Sequence, residues 1–311
     1  MDLQSDPIEV SDETESAIRE YHSNGASVIR GILDQKWISI MREAIQRVLD
    51  HPGSASVEYT PKGEEGRYYG DFFLWRRDPD FEEFMRHSPL PAIAAKVLKS
   101  NSIRFFYDQL LVKEPLTKEK TPFHQDLPYW PLKGEDILSI WVPFDRVGLQ
   151  QGGVRFLKGS HRWKQRYAPT AFGKDSGFAE IYEKMGWEPL PDFEKNDNIY
   201  NWLNWETEPG DVILFHPLVI HGSGGNQSSN QRRRALAMRF LGDDVVWDSR
   251  PGTFIEKETI QEILPELNLK DGDQLESPCF PLIRTFSIQP ETEIMKQNSF
   301  QENSIRNSSH E

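Results

Sequence analysis

The chain has one cysteine, Cys279, in 311 residues. A single thiol allows neither an internal disulfide nor a cysteine-based zinc site. That excludes a disulfide-stapled secreted scaffold and makes a reducing compartment, the cytoplasm, the expected location. Long apolar runs are missing too. Val212 to Phe215 and Pro217 to Ile220 fall far short of the ~20 residues of a membrane span. The stretch from Met1 to Glu13 is acidic and lacks the basic-then-apolar order of a signal peptide. Basic residues are the minority, 36 Lys and Arg against 49 Asp and Glu, for a formal charge of −13. Nothing in that balance offsets phosphate repulsion, which argues against nucleic acid and anionic membranes as partners.

What is present suffices for a packed core: 37% of residues are hydrophobic and 12% aromatic, including nine tryptophans concentrated toward the middle of the chain. Ser11 offers an N-cap, acids fill the next turn and Gly25 offers a left-handed stop, which predicts a helix over 12–24. Residues 26–30 read as a short strand. Trp37, Ile38, Met41, Ile45 and Val48 recur at helical spacing over about 34–51, ending at Pro52-Gly53. A third helical region, about 80–99, is expected to break at Pro89 and Pro91. From Ser102 the pattern turns β, over 103–113, 138–144, 154–157, 211–216 and 235–241. Short strands between Pro/Gly turns predict a mainly β, double-sheet jelly roll with flanking N-terminal helices. The expected organisation is a flexible 1–10, one domain over 11–289 and a floppy tail over 290–311. An insertion over about 162–209 carries Trp163, Tyr167, Phe172, Phe178, Tyr182, Trp187, Tyr200, Trp202 and Trp205. Inserts of that length are commonly lids.

Among eight histidines, His124 stands two residues before Asp126. In a strand, such a pair projects to one side. A third leg is expected from His221, which follows the 211–216 strand and precedes a glycine-rich turn. Two imidazoles and a carboxylate on one face of an octahedron leave three positions open, which suits an Fe(II) oxygenase that must bind a chelating cosubstrate and O2 side by side. His-x-Asp alone is common by chance, and His161 and His216 read equally as core or turn residues. The run Arg232-Arg233-Arg234 adds weight. On the strand returning past the metal, a guanidinium fork could grip the far carboxylate of a dicarboxylic cosubstrate such as 2-oxoglutarate, with Ser223 as second donor. Strand alternation lets only some of the three point inward.

Several ordered motifs then carry a resemblance. They are Tyr107-Asp-Gln-Leu-Leu-Val-Lys-Glu-Pro115, Pro122-Phe-His-Gln-Asp-Leu-Pro-Tyr-Trp-Pro131, Ser139-Ile-Trp-Val-Pro-Phe-Asp145, Gly152-Gly-Val-Arg-Phe-Leu-Lys-Gly-Ser-His161 and Gly210 through Asn226, closing on Arg-Arg-Ala235. Over about 15–250 the chain resembles the phytanoyl-CoA dioxygenase family of Fe(II)/2-oxoglutarate oxygenases. The resemblance implies a double-stranded β-helix, the cupin-like jelly roll, with His124, Asp126 and His221 as iron ligands. It places 2-oxoglutarate on Ser223 and on Arg233, or on Arg232 when counted from His221, with Gln109 and Trp141 lining that pocket. It also implies O2 as cosubstrate, release of succinate and CO2, and hydroxylation of an unactivated C–H. Related halogenases carry a small residue where Asp126 stands, so hydroxylation is favoured. Desaturation, cyclisation and epimerisation share its first step and stay open, as does a non-catalytic ligand-binding jelly roll. Tyr107, Tyr129, Trp130 and Arg155 are candidates for the substrate side, with core packing as the ordinary alternative. The acidic charge gives no support for an acyl-CoA groove and favours a small polar or alkaloid-like metabolite of natural-product biosynthesis.

Overall fold

A computed structural model describes residues 11–163, 165–169, 179–195 and 197–285; the two expected floppy ends, and Phe172 and Phe178 of the insertion, lie outside the described residues. Local chemistry sets the first elements. In α1 (Asp12–Asn24) the Ser11 hydroxyl accepts the Thr14 N–H, and Gly25 closes the helix at φ 87°, where its N–H reaches the Tyr21 carbonyl. After β1 (Ala26–Ile29), α2 (Gln35–Asp50) starts at Asp34, whose carboxylate accepts the Trp37 N–H. Its buried stripe is Ile38, Met41, Ala44, Ile45, Val48 and Leu49. Each large member contributes roughly 1.5–3 kcal/mol on burial, which holds the helix down.

β2 (Val57–Glu58), β3 (Tyr68–Phe72), α3 (Pro79–His87) and α4 (Leu90–Leu98) follow. The break between the last two falls at Ser88-Pro89 alone. Pro91 sits in the first turn of α4, where the missing N–H would have had no partner, so the second expected break does not occur.

The strands are β4 (Ser102–Lys113), β5 (Thr121–His124), β6 (Leu132–Lys133), β7 (Ile137–Pro143) and β8 (Val154–Leu157). Then come α5 (Ala179–Lys184), β9 (Trp202–Leu203), β10 (Val212–Phe215), β11 (His221–Ser223) and β12 (Arg233–Leu241). β13 (Val246–Trp247), α6 (Glu258–Ile263) and β14 (Leu282–Thr285) complete the described chain. An antiparallel eight-stranded sheet runs β1-β10-β7-β12-β4-β3-β2, with β14 also on β4. A four-stranded sheet, β5-β11-β8-β9, faces it. This is the expected jelly roll.

Alternation gives the large sheet two different faces. Leu110, Val112, Leu138, Ile140, Val142, Leu214, Leu236, Met238 and Phe240 pack under the helices. Trp141, Ile213, Phe215, Ala235 and Ala237 point the other way, onto Phe156, Val154 and Leu203 of the small sheet. The cleft described next opens between the sheets on this second face. The insertion is not all loop. Its last part is β9, paired to β8, and Phe193, Tyr200 and Trp202 pack on Phe123, Leu157 and Ile220. The described chain holds no helix long and apolar enough to cross a membrane.

Candidate active site

His221 and His124 are direct cross-strand partners, His221↔His124 in the β11–β5 ladder, with ring centroids 4.2 Å apart. Asp126 reaches them by a route the sequence does not suggest. It does not share a strand with His124. β5 ends at His124, and Asp126 starts a 3-10 turn with φ −74° and ψ −45°. The turn is pinned from the loop before β11, because the N–H groups of Asp126 and Leu127 both donate to the Pro217 carbonyl, at 2.8 and 3.1 Å. The carboxylate swings back so that Oδ1 lies 3.2 Å from His124 Nε2 and 3.7 Å from His221 Nε2.

The hydrogen bonds behind the imidazoles fix what faces forward. His124 Nδ1 lies 2.8 Å from the Pro122 carbonyl and His221 Nδ1 lies 3.0 Å from the Val219 carbonyl. A carbonyl only accepts, so each Nδ1 carries the proton, and in a neutral ring Nε2 presents its lone pair. Burial first, and His124 second, push His221 down to about 3, so that ring is neutral near pH 7. Burial alone would raise the Asp126 carboxyl, but His124, His221 and Arg239 outweigh it and hold it well below the usual range. Two lone pairs and an anionic oxygen thus converge, one ligand atom from each residue within 4.8 Å of the others. Three such atoms converging on one point suit a cation, and two imidazoles with one carboxylate suit ferrous iron.

Gly222 permits this approach. A Cβ there would stand 2.9 Å from the Thr121 carbonyl oxygen and 3.1 Å from Phe123 Cα, both backbone atoms. Gly222→Ala is therefore expected to force β11 off β5, costing about 1–3 kcal/mol as overpacking does. Urea midpoints would show the cost, and a parallel Fe(II) titration should weaken because the same displacement separates the histidines.

The triad lines a cleft of about 510 Å³ together with Tyr68, Gln109, Trp141, Ser223, Arg233 and Arg239. Arg233 is 1% exposed, and its one hydrogen bond goes from Nη1 to the Leu111 carbonyl at 3.3 Å. Its Nε is buried without a partner, and among the described residues no carboxylate lies within ion-pair distance. Beside it, at Arg233↔Lys113 in the β12–β4 ladder, Lys113 is wholly buried. Its ammonium donates to Ser223 Oγ at 3.0 Å and to the Gly224 carbonyl at 2.6 Å, 4.4 Å above the Tyr68 ring. Burial, then Arg233, hold that amine well below the usual lysine range, with Glu119 opposing them. A buried guanidinium without a counterion, beside a buried amine, is costly, so the spot suits an anion. The residues thus fit both an iron and a carboxylate-bearing cosubstrate.

The other candidates separate. Arg232 points out and pairs with Glu114 through two hydrogen bonds, 3.1 and 2.6 Å. Gln109 and Trp141 stand two rows along the same face from Arg233, both in register with Ala237. Tyr129 meets the His124 ring edge-on at 5.9 Å. Trp130 is buried and donates from Nε1 to the Tyr107 hydroxyl. Arg155 lies over Trp202 at 4.6 Å, outside the residues that line the cleft. His216 packs on His161 away from the triad. Lys113 and Arg239 escaped the sequence reading. Parity held the signal, since Lys113 continues Gln109 and Leu111 on one face and Arg239 continues Arg233, Ala235 and Ala237.

Residues 21–235 match the model of the family described as phytanoyl-CoA dioxygenase (PhyH). The peroxisomal phytanoyl-CoA dioxygenase of Bos taurus is 27% identical over 266 residues, 81% of this chain and 76% of that protein. The 1-deoxypentalenic acid 11-beta-hydroxylase of Streptomyces arenae is 24% identical over 239 residues, 73% of this chain and 80% of that one. Among solved structures, the epimerase SnoN in complex with Fe3+, alpha ketoglutarate and nogalamycin RO superposes with a TM-score of 0.65 at 19% identity. That alignment covers 87% of this chain and 98% of the other, and it speaks to the fold.

Proposed function

Because the chain belongs to the phytanoyl-CoA dioxygenase family, and is an Fe(II)- and 2-oxoglutarate-dependent dioxygenase, we propose that it hydroxylates an unactivated C–H bond of a small molecule. The balance is R–H, O2 and 2-oxoglutarate giving R–OH, succinate and CO2. One observation carries the reading: a converging His-Asp-His set shares a cleft with a buried, carboxylate-free guanidinium. His124, Asp126 and His221 hold the iron. Bound there, the metal supplies O2 activation coupled to decarboxylation of 2-oxoglutarate.

The chain's part is placement. Arg233 and Ser223 take the remote carboxylate of 2-oxoglutarate, with Lys113 behind Ser223, while Gln109 and Trp141 form the walls. Tyr129, edge-on to the His124 ring, is the aromatic candidate for meeting the substrate, while Trp130 and Tyr107, buried and hydrogen-bonded to each other outside the cleft lining, back that side and exclude water. Arg155 belongs to the outer aromatic patch with Trp202. The bacterial acid hydroxylase among the relatives supports a natural-product substrate. The single cysteine, buried and unpaired, supports a cytoplasmic setting.

Fe(II) and 2-oxoglutarate added without oxygen should give a weak visible absorption band. Absence of the band in the wild-type protein would overturn the reading. Succinate release screened over small organic acids and polycyclic metabolites would identify the substrate. A product heavier by one oxygen is expected, whereas loss of two hydrogens or an unchanged mass would replace hydroxylation by desaturation or epimerisation.

A further inference from the structure

A second guanidinium enters the cleft from β12. Arg239 is 3% exposed and lies on the same face as Arg233. Its two terminal nitrogens are held, while its Nε is buried without a partner. Nη1 donates to the Ala237 carbonyl at 2.9 Å and Nη2 to Gln109 Oε1 at 3.0 Å. The cation sits 4.5 Å above the Tyr107 ring and 5.8 Å from the Trp130 ring, and the Trp130–Tyr107 hydrogen bond holds those two rings as a corner. Among the described residues Asp126 is its one carboxylate within ion-pair distance, with Nη2 at 3.6 Å from Oδ2.

The two oxygens of Asp126 therefore have separate surroundings. Oδ1 faces both imidazoles. Oδ2 faces Arg239 and the Ser139 hydroxyl, which donates to it at 3.4 Å. These donors come from adjacent strands at the register pair Arg239↔Ser139. A carboxylate can bind a metal through one oxygen or through both. Chelation here would occupy one of the three positions that the cosubstrate and O2 require.

We infer that Arg239, with Ser139 as its partner, is a positioning residue that reserves Oδ2 of Asp126 and so holds that carboxylate to one-oxygen coordination. The inference rests on the triad being the iron site. Gln109 then has a use besides lining the cosubstrate pocket, because its carbonyl oxygen sets the tilt of the guanidinium plane. Ligating carboxylates held by a neighbouring donor bind metal more tightly, and loss of such a donor weakens affinity ~10- to 100-fold.

The test is anaerobic equilibrium dialysis of Fe(II) against the wild type, Arg239→Leu, Arg239→Lys and Ser139→Ala. Near-infrared magnetic circular dichroism of each iron complex reads its coordination. Arg239→Leu should weaken Fe(II) binding ~10- to 100-fold and change the ligand-field pattern. Arg239→Lys should restore part of both, since an ammonium reaches one oxygen but lacks the fork toward Gln109. Ser139→Ala should shift both less. Should the leucine variant lose its circular-dichroism signature of folding, the lysine and alanine variants decide by the same two readouts. A wild type that binds Fe(II) and gives the 2-oxoglutarate band, beside folded variants with unchanged affinity and ligand-field pattern, sinks the clamp and leaves the functional reading intact. A wild type that gives no band sinks the functional reading first.

Discussion

Asp126→Ala should yield a folded protein that no longer retains iron. Its two remaining donors are imidazoles, which bring no negative charge, so the one carboxylate lining the site among the described residues is gone. Arg233 and Arg239 still line the cleft, with Lys113 buried behind Ser223. A divalent cation entering that cleft then meets positive charge with nothing to offset it. Losing a neighbour of a ligand weakens metal binding ~10- to 100-fold, so losing the ligand itself should exceed that range. The visible band with 2-oxoglutarate should vanish and substrate-coupled succinate release should stop. Asp126→Asn separates charge from shape. It fills the same volume beside Ser139, yet is expected to lose the band as well. The apo-protein should also be less stable, because Arg239 is left buried without its carboxylate, a change that costs up to about 3–5 kcal/mol when a buried pair is broken. The 3.6 Å separation of that pair places the cost at the low end. Metal content after anaerobic loading, read beside thermal midpoints, checks both. Wild-type iron content in Asp126→Ala would remove the triad from the account.

Where a residue's conformation is set by its neighbours in sequence, the sequence was legible. The Ser11 cap and the Gly25 stop of α1 are of this kind, as is the alternation that divides β12 between the helices and the cleft. The triad members could be named from their residue types and the motifs around them. The reason they meet could not. Strand parity suggests that His124 and Asp126 share a face, whereas Asp126 stands in a turn held by the Pro217 carbonyl, a contact between segments far apart in sequence. Lys113 and Arg239 were passed over because a basic residue in a strand usually reaches water. Only the register, which sets Lys113 beside Tyr68 and Arg233, and Arg239 beside Ser139, shows that Arg239 reaches the cleft and that Lys113 stands behind its wall. The −13 charge of the whole chain favoured a small polar or alkaloid-like metabolite. Among the described residues, two guanidiniums and one carboxylate line the cleft, with the Lys113 amine behind Ser223. Surface charge governs solubility and long-range steering; it does not report the sign of a buried pocket.

Two adjacent arginines should give opposite results when each becomes leucine. Arg233→Leu removes the buried cation facing Ser223 and should weaken 2-oxoglutarate binding ~10- to 150-fold, the equivalent of about 1.5–3 kcal/mol for charge-assisted hydrogen bonds. Its apo-protein should be no less stable than the wild type. An unpaired buried guanidinium is a burden on folding, and leucine replaces it with apolar volume beside Trp141, which now lies 5.9 Å from that cation. Arg232→Leu should leave 2-oxoglutarate affinity alone. It breaks a pair with Glu114 whose side chains are 34% and 20% exposed, worth no more than ~1 kcal/mol after solvent screening. Thermal melts with and without 2-oxoglutarate in the presence of Fe(II) under nitrogen read both effects. At ~100 times its dissociation constant the cosubstrate should add about 2.7 kcal/mol to the wild type and to Arg232→Leu. Arg233→Leu at the same concentration should gain only about 0.3–1.4 kcal/mol. Arg233→Lys should fall between, since an ammonium keeps the charge and loses the two-point grip. Equal 2-oxoglutarate affinity in both leucine variants would mean that the cosubstrate's far carboxylate lies elsewhere, with Lys113 the next cation to test.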